Sequence, residues 1–201
     1  MHILTRLSSL SKVARPGAAA ITLVGAVSVL SAPAAPAAQA NGPKLKTPKV
    51  PVIIDGVRHE PQAIHRFDGQ TIHLKLRRGP NGKPELVVSR RRPKLAGTRA
   101  HASSLGGHVT FFEHTGDGHN LTRNHGQSES NLGAVPLDCT LWWCSGNWDN
   151  ITSSVETSGA HTVLFDEPNF RGRTLEITHE WARVDLIALG FNDTASSVWI
   201  D

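Results

Sequence analysis

Two copies of one short block, 43 residues apart, constrain this chain more than any other feature. Trp148-Asp149-Asn150-Ile151-Thr152-Ser153-Ser154-Val155 aligns with Phe191-Asn192-Asp193-Thr194-Ala195-Ser196-Ser197-Val198. Each copy reads aromatic, two Asx, two variable positions, Ser-Ser, Val. At average composition, a match to Asx-Asx-x-x-(Ser/Thr)-Ser is expected about 0.02 times in a chain of this length. Two matches therefore indicate an internal duplication. A second pair lies upstream, where His108-Val109-Thr110-Phe111-Phe112-Glu113 matches His161-Thr162-Val163-Leu164-Phe165-Asp166 at an offset of 53. The offsets differ by ten, so the first unit carries an insertion between residues 119 and 147. Long stretches of 3.6 period are scarce, which predicts β units. Glu180 to Leu189 is the best candidate for a helical turn or two.

The second unit also contains Phe165-Asp166-Glu167-Pro168-Asn169-Phe170-Arg171-Gly172. An aromatic, four residues, an aromatic, one residue and a glycine describe a folded hairpin. Its rings pack on each other, and its glycine takes a backbone shape that other residues resist. This pattern resembles the Greek-key signature of the βγ-crystallin superfamily, and the Asx-Asx-x-x-Ser-Ser blocks resemble that family's calcium motif. The resemblance spans 108–201, with units 108–157 and 161–201. It implies an all-β, two-Greek-key sandwich, and the residues before it read separately as a small β-rich unit. In the first unit the second aromatic is missing, and Gly118 serves as the turn glycine only with one residue deleted.

Calcium takes six to eight oxygens from carboxylates, carbonyls, hydroxyls and water. By the resemblance, each block supplies Asx side chains, the third-position carbonyl and the fifth-position hydroxyl. A further carbonyl comes from the other unit's hairpin, so each of up to two ions ties two Greek keys together. Site one would use Asp149, Asn150, the Ile151 carbonyl and Ser153, with a donor near Asp166. Site two would use Asn192, Asp193, the Thr194 carbonyl and Ser196, with a donor near Glu113. One carboxylate per block, Asp149 or Asp193, implies modest affinity. The alternative is that Asx and Ser side chains only bond their own backbone to form turns. Ser154 and Ser197 suit loop support better than metal ligation, and Trp148, Phe191 and Trp199 suit core packing.

Charge divides the rest of the chain. Residues 41–107 carry 14 basic against 4 acidic residues, and residues 108–201 carry 4 against 13. The overall +4 conceals a basic arm and an acidic body, and such halves suit different partners. Residues 41–49 read as a solvated linker, and 41–89 as a small basic β-rich unit. Within it Asp55-Gly56 and Asn81-Gly82 are turn signals, and Thr71 to Leu76 alternates with period two. The run Ser89-Arg90-Arg91-Arg92-Pro93-Lys94 opens a linker over 90–107. Its charge admits attraction to an anionic cell-envelope polymer. No aromatic lies in 90–107 to stack on bases, which argues against a specific nucleic-acid site.

At the N-terminus, Arg6, Lys12 and Arg15 precede Gly17–Leu30, an uncharged apolar run of 14 residues. An Ala/Pro-rich stretch then ends at Ala38-Gln39-Ala40. Residues 1–40 read as a secretory signal peptide, since a spanning helix needs about 20 apolar residues. An exported, extracellular protein without a transmembrane segment in its mature form is expected. Export favours a disulfide between Cys139 and Cys144, five residues apart. The alternative, a zinc site completed by two of His114, His119 and His125, lacks compact ligand spacing. Between the cysteines lie Trp142 and Trp143, which form either an apolar tip for a protein target or a cap on the core. No Gly-x-Ser-x-Gly, His-Glu-x-x-His or phosphate loop occurs, so an enzyme is not expected. The sequence thus predicts a secreted calcium-binding protein whose ions stabilise the fold. The alternative that the resemblance permits is a proteinase inhibitor or toxin-like effector, with Trp142 and Trp143 as its candidate tip.

Overall fold

A computed structural model describes residues 44–95, 106–116, 118–140, 143–178 and 181–201. The expected signal peptide, part of the 90–107 linker and Trp142 lie outside these residues. The first strands are β1 (Val52–Ile54), β2 (Val57–His59), β3 (His73–Arg78) and β4 (Pro84–Ser89), with a 3-10 helix Pro61–Phe67 between β2 and β3. Asp55 and Gly56 both take positive φ in the β1–β2 turn, as an Asp-Gly hairpin demands. On β3, Leu74 and Leu76 are buried while Lys75 and Arg77 face solvent, the period-two pattern of a strand with one covered face.

The first repeat unit contains β5 (His108–Phe112), β6 (Asn120–Asn124), the inserted hairpin β7 (Pro136–Cys139) and β8 (Cys144–Asn147), and β9 (Ser154–Ser158). The second contains β10 (Thr162–Glu167), β11 (Arg171–Ile177), β12 (Val184–Asp185) and β13 (Ser197–Ile200). The units are wound alike. In each, a hairpin (β5–β6 or β10–β11) pairs antiparallel with the unit's last strand, β9 or β13. The third segment crosses to the other unit's sheet. Val184 of β12 pairs with Val155, and Glu129 bridges Val198. These two valines hold the same position in the two blocks. The architecture is therefore the expected all-β pair of Greek keys, each closed by a segment from the other. Trp148, Phe111, Phe165 and Phe191 are fully buried between them. Each such side chain removed from water contributes about 1.5–3 kcal/mol.

Three features differ from the sequence reading. Strands β1 to β4 do not stand apart as a separate sheet. β3 runs parallel to β11, with Leu74 opposite Leu175, and gives a seven-stranded sheet of order β13-β10-β11-β3-β4-β1-β2. Apolar Leu74, Leu76, Leu86 and Val52 belong to the common core, so the basic strands cover the edge of β11. Residues 44–49 are not a solvated linker, because Leu45 and Pro48 are buried and Lys49 N–H donates to Ala188 O at 2.7 Å. The helical turn expected over 180–189 is instead strand β12 followed by a turn, where Val184 and Leu186 are drawn into the core. Among the described residues, no helix is long and apolar enough to cross a membrane.

Candidate metal centre

The two Asx-Asx-x-x-Ser-Ser blocks meet across the interface between the Greek keys, and their contacts repeat with the same spacing on both sides. Asn150 N–H donates to Ala195 O at 3.0 Å, and Asp193 N–H donates to Thr152 O at 3.0 Å. Each second-position Asx thus bonds the fourth-position carbonyl of the opposite block. Both take positive φ, 57° at Asn150 and 49° at Asp193, a conformation that Asn and Asp tolerate better than most residues. Each fifth-position N–H is held by its own unit's hairpin, Ser153 by Phe112 O and Ser196 by Phe165 O. The sixth-position hydroxyls close the loops. Ser154 Oγ donates to His114 O at 3.1 Å and Ser197 Oγ to Glu167 O at 2.7 Å.

This cross-bonding decides which donors meet. Ser153 Oγ lies 3.3 Å from Asp193 Oδ1, and Ser196 Oγ lies 3.4 Å from Asn150 Oδ1. The sequence grouped each serine with its own block, and the structure exchanges them. The reason is that the blocks pair head to tail, so the fifth position of one faces the second position of the other. One donor cluster holds Asn150 and Ser196 beside the hairpin that carries Asp166. The other holds Asp193 and Ser153 beside the hairpin that carries Glu113.

The hairpin carboxylates themselves are engaged. Asp166 Oδ1 accepts from Arg173 N–H at 2.6 Å, and its Oδ2 pairs with Arg173 Nε at 2.5 Å. Glu113 Oε2 stands 2.9 Å from His119 Nδ1 and 4.0 Å from His114 Nε2. The His119 hydrogen bond, opposed by partial desolvation, holds the Glu113 carboxyl below its ordinary value. From these hairpins it is therefore the backbone that can face a cation. Asn192 Nδ2 donates to Asp193 Oδ2 at 2.8 Å, and Thr194 Oγ1 donates to Asn192 O. Asp149 differs from the rest. Its N–H is capped by Asn147 Oδ1, yet its own Oδ1 is buried with no hydrogen-bond partner. A buried carboxylate oxygen left alone costs free energy that a bound cation recovers.

Gly172 shows why the second hairpin keeps its shape. Its φ is +74°, and a Cβ there would sit 2.0 Å from Asp166 Oδ1. Phe165 and Phe170 stack edge to face at 5.7 Å, and Phe170 does the same with Trp199. Trp148 and Phe191, which open the two blocks, are core residues. Elsewhere, Cys139 and Cys144 form a disulfide, which sets aside the zinc alternative for these residues. Trp143 beside it is 68% exposed. Sequence reasoning missed Lys46, whose ammonium donates to Asn192 O, because nothing local in residues 44–50 points to a block nearly 150 residues away. Among the described residues, no group of three or more His, Cys, Asp or Glu gathers that could hold a metal ion. The donor set is mixed hydroxyl, amide, carbonyl and carboxylate oxygen, which suits a hard cation.

No family model and no curated protein matches the chain. A solved structure described as "Evolution of the eye lens beta-gamma-crystallin domain fold" is 20% identical, covers 48% of this chain and 86% of its own, and has a TM-score of 0.38.

Proposed function

We propose that this is a secreted, non-catalytic calcium-binding protein whose ions bridge two Greek keys and stabilise the fold. The observation that carries the reading is the reciprocal contact of Asp193 with Ser153 and Asn150 with Ser196 across the two units. A cation held there has donors from both units, so binding and docking of the units share one free energy. Asp193 and Asn150 would supply side-chain oxygen, Ser153 and Ser196 hydroxyls, and Ile151 and Thr194 carbonyls. Asp149 adds the carboxylate oxygen that lacks a partner. Calcium contributes only charge and coordination here, and the low ligand charge argues for modest affinity. At 100 times its dissociation constant, an ion bound only to the folded state adds about 2.7 kcal/mol.

Calorimetry with calcium, run beside a thermal melt, tests this. The parent should bind with measurable heat and melt at higher temperature. Asp193→Ala should lose one binding event, and Asp149→Ala should weaken binding. Absence of both heat and melt shift at millimolar calcium contradicts the reading. The exposure of Trp143 beside the disulfide supports a second reading, an inhibitor or toxin-like effector with this hairpin as its tip. Protease and growth assays comparing the parent with Trp143→Ala separate the two. Exposed Arg90 and Arg91, just after β4, support association with an anionic envelope polymer.

A further inference from the structure

The segment 44–50 is built as a strap over the second block. Leu45 and Val50 are buried at its ends, Leu45 N–H donates to Asp68 Oδ1 at 2.9 Å, and Thr47 Oγ1 meets His65 Nε2 at 2.7 Å. Its middle crosses the loop that leads into Asn192. Lys49 N–H bonds Ala188 O, and Gly190 lies so close beneath that a Cβ there would sit 2.5 Å from Lys46 O. The Lys46 ammonium, anchored by this path, donates to Asn192 O in the peptide that joins Asn192 to Asp193. The first block is built otherwise. There Asp149 N–H is capped by Asn147, and the basic contact falls at the block's far end, where Arg183 donates to Ser154 Oγ at 3.4 Å and to Gly116 O at 2.9 Å.

We propose that Lys46 makes the two clusters unequal: a strap-borne positive charge opposes a divalent cation at the cluster of Asp193 and Ser153, and leaves the cluster of Asn150 and Ser196 unaffected. This rests on the calcium reading above and goes beyond it, since it assigns the affinity difference to a residue outside either repeat. Without Lys46 the Asp193 cluster would be expected to bind about as tightly as its twin, because each block brings one carboxylate, Asp193 or Asp149. The opposing charge lies near the surface and is screened by salt.

The test is calcium calorimetry on the mature chain and on Lys46→Gln, Lys46→Met and Lys46→Arg, at low and high sodium chloride. Lys46→Gln and Lys46→Met should tighten one of the two binding events about two- to fivefold, the range of exposed charge interactions. A parent that shows one event and a Lys46→Gln that shows two is the same result. The gain should shrink in high salt, and Lys46→Arg should behave as the parent. In an Asp193→Ala background the remaining event should not respond to Lys46. Unchanged or weaker binding in Lys46→Gln and Lys46→Met, with the parent binding normally, overturns the assignment and leaves the calcium reading standing. A parent that binds no calcium, with no binding in the Lys46 variants, overturns both. The strap's hold on the fold is read separately from the metal-free melt of each variant.

Discussion

Single residues in this chain are best understood by the partner each is given. Glu176, on the outer side of β11, has His161 Nε2 at 3.3 Å and Lys75 Nζ at 2.7 Å from its Oε1. The neighbouring imidazole first, then the ammonium, outweigh desolvation and lower its pKa from 4.5 to about 2. Its folded-state value lies below its unfolded one, so between those values the unfolded chain binds more protons. The stability it contributes is therefore complete above about pH 4.5 and is lost as pH falls toward 2. At neutral pH the group is worth up to about 3 kcal/mol. Acid denaturation of Glu176→Gln beside the parent should show a shallower fall in stability across that window. Identical acid limbs would contradict the role. Identity alone did not reveal this. The sequence shows Lys75 and Glu176 a hundred residues apart, and only the β3–β11 register puts them side by side.

At the scale of elements, the hairpin and its block act together. The hairpin β10–β11 is bent where Asn169 and Phe170 both take positive φ and Gly172 lets Asp166 reach Arg173. Gly172→Ala adds the cost of a left-handed alanine, about 1 kcal/mol, and drives a methyl into the Asp166 carboxylate. Urea unfolding should show a loss of about 2–4 kcal/mol, in the range of strained backbone sites, and a loss under 1 kcal/mol would deny the close approach. This hairpin was legible in the sequence because its signature is local: ring spacing and one glycine. The blocks were legible for the same reason. The exchange of Ser153 and Ser196 between clusters was not. It depends on how the blocks face each other, and no spacing within either block records that. The helical turn expected over 180–189 failed for a similar reason. Val184 and Leu186, two residues apart, have the spacing of one strand face, and the Greek-key crossover pairs Val184 with Val155.

For the molecule as a whole, the basic arm is part of the architecture. Its charge and its turn signals mark a small β-rich unit, yet parallel pairing of β3 with β11 has no sequence signature of its own. The pairing covers the backbone of Thr174 to Glu176 and places Leu74 against Leu175. A chain beginning at Gly106 should therefore lose more than cover. It would present an open, apolar-flanked edge and melt more than about 10 °C lower, given several kcal/mol of lost packing. A fragment that melts within a few degrees of the full chain would show that the arm is dispensable. The two Greek keys were readable because duplication writes each contact twice. The arm was not, because it occurs once.

The account depends most on cation binding between the two blocks. A nuclear magnetic resonance titration of the chain with calcium measures that directly, amide by amide. Shifts concentrated at 112–114, 149–154, 165–167 and 191–197, with the β7–β8 hairpin unmoved, are the predicted result. Millimolar calcium that leaves those amides in place, or moves only others, would contradict it.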